Sequence, residues 1–270
     1  MKKFLIAGCA VLLAGVLEAQ QKQGTVTYER VSQVQISFGG NMPAGMESQI
    51  PKSRKDNFEL SFGNNKSVWK AAEEETNETT DISGGEGGGM QIRMVMAGSN
   101  DVLFNDFETG KRVEKREVMD KSFIIDDSIK SLKWKMTGET KTILNLPCMK
   151  ATTSNIRTRT MTNMDNGKLE RKEITDTVAI IAWFTTSIPV SAGPAEYQGQ
   201  LPGLILEMDI KDGTQVFKAL SISEKVDIAA IKEPTGKKRY TQEEFKKERE
   251  KMMAEMNKNN GGGNRQIRIN

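Results

Sequence analysis

The sequence predicts a mainly β protein of the α+β type, a large antiparallel open sheet or half-barrel followed by one C-terminal amphipathic helix. Three observations carry this. In the stretch after Pro202–Gly203, Leu204, Leu206, Met208 and Ile210 are apolar while Glu207, Asp209 and Lys211 are charged, the two-residue period of a half-buried strand. Similar short segments recur along the chain between Gly/Asn/Asp turns. Only after Ile222 does the period change, where Thr241–Gln242–Glu243–Glu244 forms a capping box ahead of Phe245, Met252 and Met256 on one helical face.

Taken in order, Val26, Tyr28, Val34 and Ile36 alternate with polar residues and predict a long first strand. Phe58–Phe62 and Val68–Trp69 flank Gly63–Asn64–Asn65, a hairpin turn by composition. Residues 73–89 are acidic and then glycine-rich, too poor in apolar surface to order themselves, and are expected to be a mobile loop. Strands resume at Gln91–Ala97, Val102–Phe107 and Lys111–Val118. Phe123–Ile125 and Leu132–Met136 are apolar enough to be central. Two long strands, Cys148–Thr160 and Lys168–Thr185, flank the turn Asp165–Asn166–Gly167. The Leu204–Ile210 strand turns at Asp212–Gly213 into Val216–Ile222.

The run Gln200–Leu201–Pro202–Gly203–Leu204–Ile205 resembles the signature of the GLPGLI family, exported bacterial proteins that carry the Porph_ging domain. Lys141–Thr142–Ile143, Cys148, Lys150–Ala151, Ala182–Trp183–Phe184–Thr185, Ile188–Pro189 and Gly193–Pro194 continue the pattern in order, from roughly Val26 to Ile222. Gln200 departs from it, standing where the signature begins with glycine, and Asn145–Leu146 stands where Gly–Tyr is usual. The family brings no established activity, so the resemblance implies no functional residues.

Three segments are expected. Residues 1–19 read as a signal peptide, with Lys2 and Lys3 ahead of an apolar run from Phe4 to Leu17 that is too short to span a membrane. Ile6–Ala7–Gly8–Cys9 resembles a lipoprotein box, but the apolar run continues past Cys9, which favours cleavage near Ala19. Residues 20–230 form the antiparallel β domain. Residues 231–270 supply a linker, a helix at 241–256 and a short C-terminal strand. The expected location is therefore the periplasm or the exterior, with no transmembrane segment left once the signal is removed.

Charge is nearly balanced, 39 Lys and Arg against 36 Asp and Glu, which gives no reason to expect nucleic acid as a partner. Of two cysteines only Cys148 lies outside the signal, so an internal disulfide is excluded. Lys150, two residues on, would share its strand face and lower the thiol pKa; the plainer reading is a small buried hydrophobe. With no histidine anywhere, Ser-His-Asp and Cys-His catalysis and the commonest zinc ligand are gone. Carboxylate pairs such as Asp126/Asp127 and Glu243/Glu244 read as surface charge, and the glycine run lacks the lysine of a phosphate-binding loop. No enzyme and no cofactor are expected.

Two function classes remain. The first is a non-enzymatic exported binding or assembly protein holding an apolar ligand or an envelope partner's segment. Its basis is Ala179–Phe184, which is apolar on both strand faces and so places Ile181 and Trp183 on the wet side. The helix bearing Phe245 and Met252 is expected to lie over Trp183 and Ile181 as a lid, leaving a groove. The alternative is soft-metal binding by thioethers, with Met42, Met46 and Met90 as ligands, since glycine-flanked loop methionines have no core to fill and suit Cu(I). Finally, Gly87–Met94 and Gly261–Ile269 echo one another, which suggests a C-terminal strand added near Gln91–Ala97.

Overall fold

The computed structural model describes residues 21–34, 51–72, 80–82, 92–94, 100–165 and 168–259. In chain order the strands are β1 (Gly24–Gln33), β2 (Ser53–Gly63), β3 (Lys66–Ala71), β4 (Thr80–Ile82), β5 (Ile92–Met94), β6 (Val102–Asp106) and β7 (Lys111–Val118). They continue as β8 (Lys121–Ser128), β9 (Lys135–Ile143), β10 (Leu146–Asp165), β11 (Lys168–Thr185), β12 (Leu204–Ile210), β13 (Gln215–Ser223) and β14 (Arg239–Tyr240), and the helix α1 (Gln242–Asn259) closes the series. Twelve strands form one open sheet in the order β14-β8-β7-β6-β3-β2-β1-β13-β12-β11-β10-β9, antiparallel except where β14 joins β8. The mainly β architecture with a single C-terminal helix is as the patterning predicts.

Side-chain alternation sorts the sheet into two faces. The inner face carries Val26, Tyr28, Leu60, Phe62, Trp69, Phe217, Met208, Ile180 and Ala182, all buried in the main core. The connection from β11 to β12 lies against it. There the Tyr28 hydroxyl donates to the Ile205 carbonyl at 2.5 Å, and burial pushes the Tyr28 pKa far above its ordinary value. The outer face holds a smaller cluster, Val68, Phe104, Val113 and Ile124, covered by Ile231 from the chain between β13 and β14.

The signature turn closes the core for a reason other than a left-handed backbone. Gly203 is not among the residues with positive φ; a Cβ there would lie 2.1 Å from the Thr185 carbonyl oxygen, so the glycine permits close approach to β11. Gly199, at φ +74, makes the left-handed turn instead. Gln200, the departure from the family pattern, has a structural task. Its Oε1 accepts from the Leu132 N–H at 2.9 Å and from the Trp134 indole at 3.3 Å, and its amide nitrogen donates to the Lys130 carbonyl.

That clasp explains one difference from expectation. Leu132 and Trp134 pack on the core from a connection rather than from a strand, and β9 begins only at Lys135 and forms the sheet edge. The Phe123–Ile125 segment is also not central, for β8 is second from the opposite edge, where α1 supplies the cover a central strand would get from neighbours. Thr80–Ile82, within the stretch expected to be a mobile loop, pairs with β5 in a separate two-stranded sheet. The rest of residues 73–89, the segment 1–19 expected to be a signal peptide, with Cys9, and Met42, Met46, Met90 and the C-terminal echo lie outside the described residues.

The hairpin of β10 and β11 outruns the sheet. β9 accompanies β10 only as far as Thr152, and β12 accompanies β11 only from Ile180, while the two continue pairing to Asp165↔Lys168. At the base of this ribbon Ile156 is 69% exposed. The capping box forms as read: the Thr241 N–H donates to Glu244 Oε2 at 2.8 Å, and the Glu244 N–H donates to Thr241 Oγ1 at 3.2 Å. These bonds hold the Glu244 carboxyl below its usual range.

Candidate functional site

Trp183 and Ile181 do project from the outer face of β11, as the alternation requires. Register shows where α1 sits relative to them. Trp183 pairs Glu207, Glu207 pairs Lys218, and Lys218 pairs Glu29; Glu59, on the same face of β2, leads through Lys70, Val102 and Lys115 to Ile124. Phe245 and Met252 pack instead on Phe123 and Ile125, the alternate residues of β8, which face inward. The helix and Trp183 therefore lie on opposite faces, with seven strands between β8 and β11. The groove expected between them does not form. Ile181 and Trp183 stay together, Phe245 and Met252 stay together, and the two pairs are separate.

What covers Trp183 is charged. The Lys141 Nζ lies 4.3 Å from the ring centroid and the Lys150 Nζ 5.8 Å, each held by a carboxylate, Glu207 at 2.8 Å and Glu139 at 2.9 Å. Lysine stems thus screen the indole from water while their ammonium groups stay solvated. Lys150 is thereby turned away from any role at Cys148, whose thiol is fully buried and pushed up in pKa chiefly by that burial. This is the inert setting of a core cysteine.

A cleft of about 350 Å³ opens on the inner face between α1 and the connection that follows β11. Its floor is aromatic. Phe58 on β2 stacks on Trp69 of β3, with centroids 4.9 Å apart and planes at 12°. The Arg30 guanidinium carbon lies 4.5 Å over the Phe58 ring, while the same guanidinium is anchored on Asp56 at 2.8 Å. Arg54 pairs with the same Asp56 at 2.6 Å, so that end holds two cations for one carboxylate.

The opposite wall comes from β7, where Arg112, Glu114 and Arg116 alternate onto the inner face beside Leu103 of β6. Arg116 pairs with Glu114 at 2.8 Å and lies 5.7 Å from the Phe245 ring, so the helix face supports this wall. Asp101 lies at the rim, accepting from the Glu117 N–H at 2.8 Å; burial raises its pKa against that hydrogen bond and the nearby Arg116 charge.

Arg112 is the most deeply set of the charged groups lining the cleft, at 8% exposure. Its Nε donates to Asn105 Oδ1 at 3.2 Å and its Nη2 to the Glu196 carbonyl at 2.6 Å. Burial lowers its pKa, while the charges of Glu196, Asp127 and Glu114 oppose that shift. The bond to Glu196 docks the short 3-10 turn Ala195–Tyr197 onto the sheet, helped by Ser67 donating to Gln198 at 2.6 Å and Gln198 donating to the Ala195 carbonyl at 3.1 Å. Ala195 itself takes φ +49, a left-handed strain these bonds sustain.

Sequence reading misses this cleft, although a signal is present. Lys111–Val118 puts Arg, Glu and Arg at alternate positions whose neighbours on β8 are Asp127, Ile125 and Phe123, so a strand interior to the sheet carries charge on its core-facing side. Among the described residues no cluster of three or more His, Cys, Asp or Glu forms a metal site, and no helix is long and apolar enough to cross a membrane.

Comparison with known proteins agrees with the signature. Residues 134–207, from just before β9 to within β12, match the Porph_ging family, described as a protein of unknown function. No curated protein matches. Among solved structures, PNGF-II in its C2 crystal form aligns with a TM-score of 0.50 at 16% identity, covering 83% of this chain and 32% of PNGF-II. The chain thus spans about a third of that protein's length, and the likeness concerns fold alone. LprF from Mycobacterium bovis aligns over 81% of this chain and 92% of its own at 10% identity, but its TM-score of 0.25 carries no argument.

Proposed function

We propose that this chain, which carries a Porph_ging segment of no assigned activity, is a non-enzymatic binding protein of the cell envelope or exterior whose site is the inner-face cleft. The observation that carries the reading is the meeting of the Phe58–Trp69 floor with the Arg112 wall in one opening of about 350 Å³. Volumes of this order suit a small ligand held by apolar contact and oriented by a few polar groups. Among the described residues the cleft sets no nucleophile against a base, and the chain has no histidine, so binding rather than turnover is what these groups support.

In this reading the residues expected to hold ligand have unequal parts. Phe245 takes an indirect one, supporting Arg116 from below, and Met252 packs behind it. Ile181 and Trp183 take none, because they face away from the cleft. Export rests on the N-terminal basic-then-apolar pattern alone.

The test is saturable binding of Nile red, a neutral environment-sensitive dye, to the purified protein. Phe58→Ala, which removes half the floor, should abolish saturable binding in a protein that still folds, its urea midpoint falling no further than that of Trp183→Ala, the other half-buried aromatic. Trp183→Ala should leave binding unchanged. Absence of a saturable signal, or loss of it in Trp183→Ala alone, would overturn the cleft as the site.

A further inference from the structure

We infer that the ligand of the cleft is a small organic anion, a carboxylate on an aromatic or similarly apolar body, and that Arg112 receives its charge. This rests on the cleft being the binding site. A guanidinium has five N–H donors. On Arg112 two are engaged, both by neutral oxygens, Asn105 Oδ1 and the Glu196 carbonyl, which leaves three. Among the described residues no carboxylate comes within ion-pair distance of it; Glu196, Asp127 and Glu114 act on it only through space.

The other arginines of the cleft differ in this respect. Arg30 has Asp56 at 2.8 Å and Arg116 has Glu114 at 2.8 Å. A buried cation without a hydrogen-bonded counter-ion is costly, and the planar fork of arginine matches a carboxylate in two parallel bonds. No nitrogen of Arg112 is enclosed without a partner, so its unengaged donors open onto the cleft, where such a carboxylate can reach them. The aromatic floor lies across the same opening, so a ligand whose acid group reaches Arg112 can lay its apolar body on Phe58 and Trp69.

The experiment compares N-acetyl-phenylalanine with N-acetyl-phenylalanine amide as displacers of Nile red from the full-length protein. The two share shape and apolar surface and differ by one charge. The acid should displace the dye at least about tenfold more effectively than the amide, the difference a charge-assisted pair gives over a neutral one. In Arg112→Met that preference should vanish with dye binding retained, and Arg112→Lys should restore part of it. Because Arg112 also holds Glu196, Arg112→Met can fail to fold; the wild-type comparison then still decides the anionic class, and a partial loss of the acid's preference in Arg112→Lys decides whether Arg112 receives the charge. Equal displacement by acid and amide would overturn the anionic class while leaving the cleft in place; failure of Nile red to bind would remove the cleft itself.

Discussion

The two faces of the sheet solve the same problem in different ways. Near one edge, on the inner face, Phe123 and Ile125 are covered by a helix that contributes Phe245 and Met252, and all four are buried. Toward the other edge, on the outer face, Trp183 is covered by two lysine side chains and remains half-buried. An apolar run on a wet face therefore does not by itself call for a ligand or a lid. Long cationic neighbours one and two strands over, Lys150 on β10 and Lys141 on β9, supply enough hydrocarbon to screen an indole, and they leave the helix free to build a wall elsewhere.

The largest effect separating the faces should come from the strand the signature turn feeds. Leu206 is fully buried on the inner side of β12, and Leu206→Asp places a carboxylate there without a partner, at a cost on the order of 4 kcal/mol. Glu207→Ala on the outer side gives up only a half-exposed pair with Lys141 and should cost under about 1 kcal/mol. Similar shifts of the urea midpoint for both would refute the facing. Next in size is Phe245→Ala, which opens a buried aromatic site and should cost about 3 kcal/mol, with amide exchange rising first along α1. Trp183→Ala should cost about half as much, since its ring is only partly withdrawn from water, and should leave α1 exchange unchanged. Linked changes at both places would restore the shared groove that the register excludes.

How far the sequence reveals this molecule follows from the range of each signal. Strand periodicity is local, so β7, β11 and β12 are legible to the residue, and the capping box locates α1 within one residue at its start. Strand order is not local. Nothing in Phe123–Ile125 states that its cover is a helix far along the chain, at Phe245 and Met252, and so its apolar character suggests a central strand. The same limit hides the cleft. Arg112 looks like surface charge until β3, β6 and the Ala195–Tyr197 turn are brought around it by contacts such as Ser67 to Gln198, 131 residues apart. Trp183 fails in the reverse sense, since its exposure is legible but the lysines that resolve it are set by pairing register.

The smallest effects should distinguish the faces by the sign of their pH dependence. On the outer side Arg239 donates to both Asp126 carboxylate oxygens and to Glu233, tying β14 and the preceding chain to the sheet. The Arg239 hydrogen bond holds Asp126 below its usual pKa. A depressed carboxylate contributes stability above its unfolded pKa, near 3.9 for aspartate, and loses it as pH falls through the folded value. Asp101, at the inner cleft, is raised instead, chiefly by burial. Its contribution is present below the unfolded pKa and is lost as pH rises through the folded value. Urea midpoints of wild type, Asp126→Asn and Asp101→Asn measured at about pH 3 and pH 6.5 should therefore diverge in opposite directions. Raising pH should favour wild type over Asp126→Asn, by under about 1 kcal/mol because that pair is solvent-screened. It should favour Asp101→Asn over wild type, since the amide oxygen still accepts from the Glu117 N–H without carrying a charge into the cleft wall. Slopes of the same sign would show that the two carboxylates share one electrostatic environment, and the contrast between a solvated outer strap and a desolvated inner cleft would fall with them.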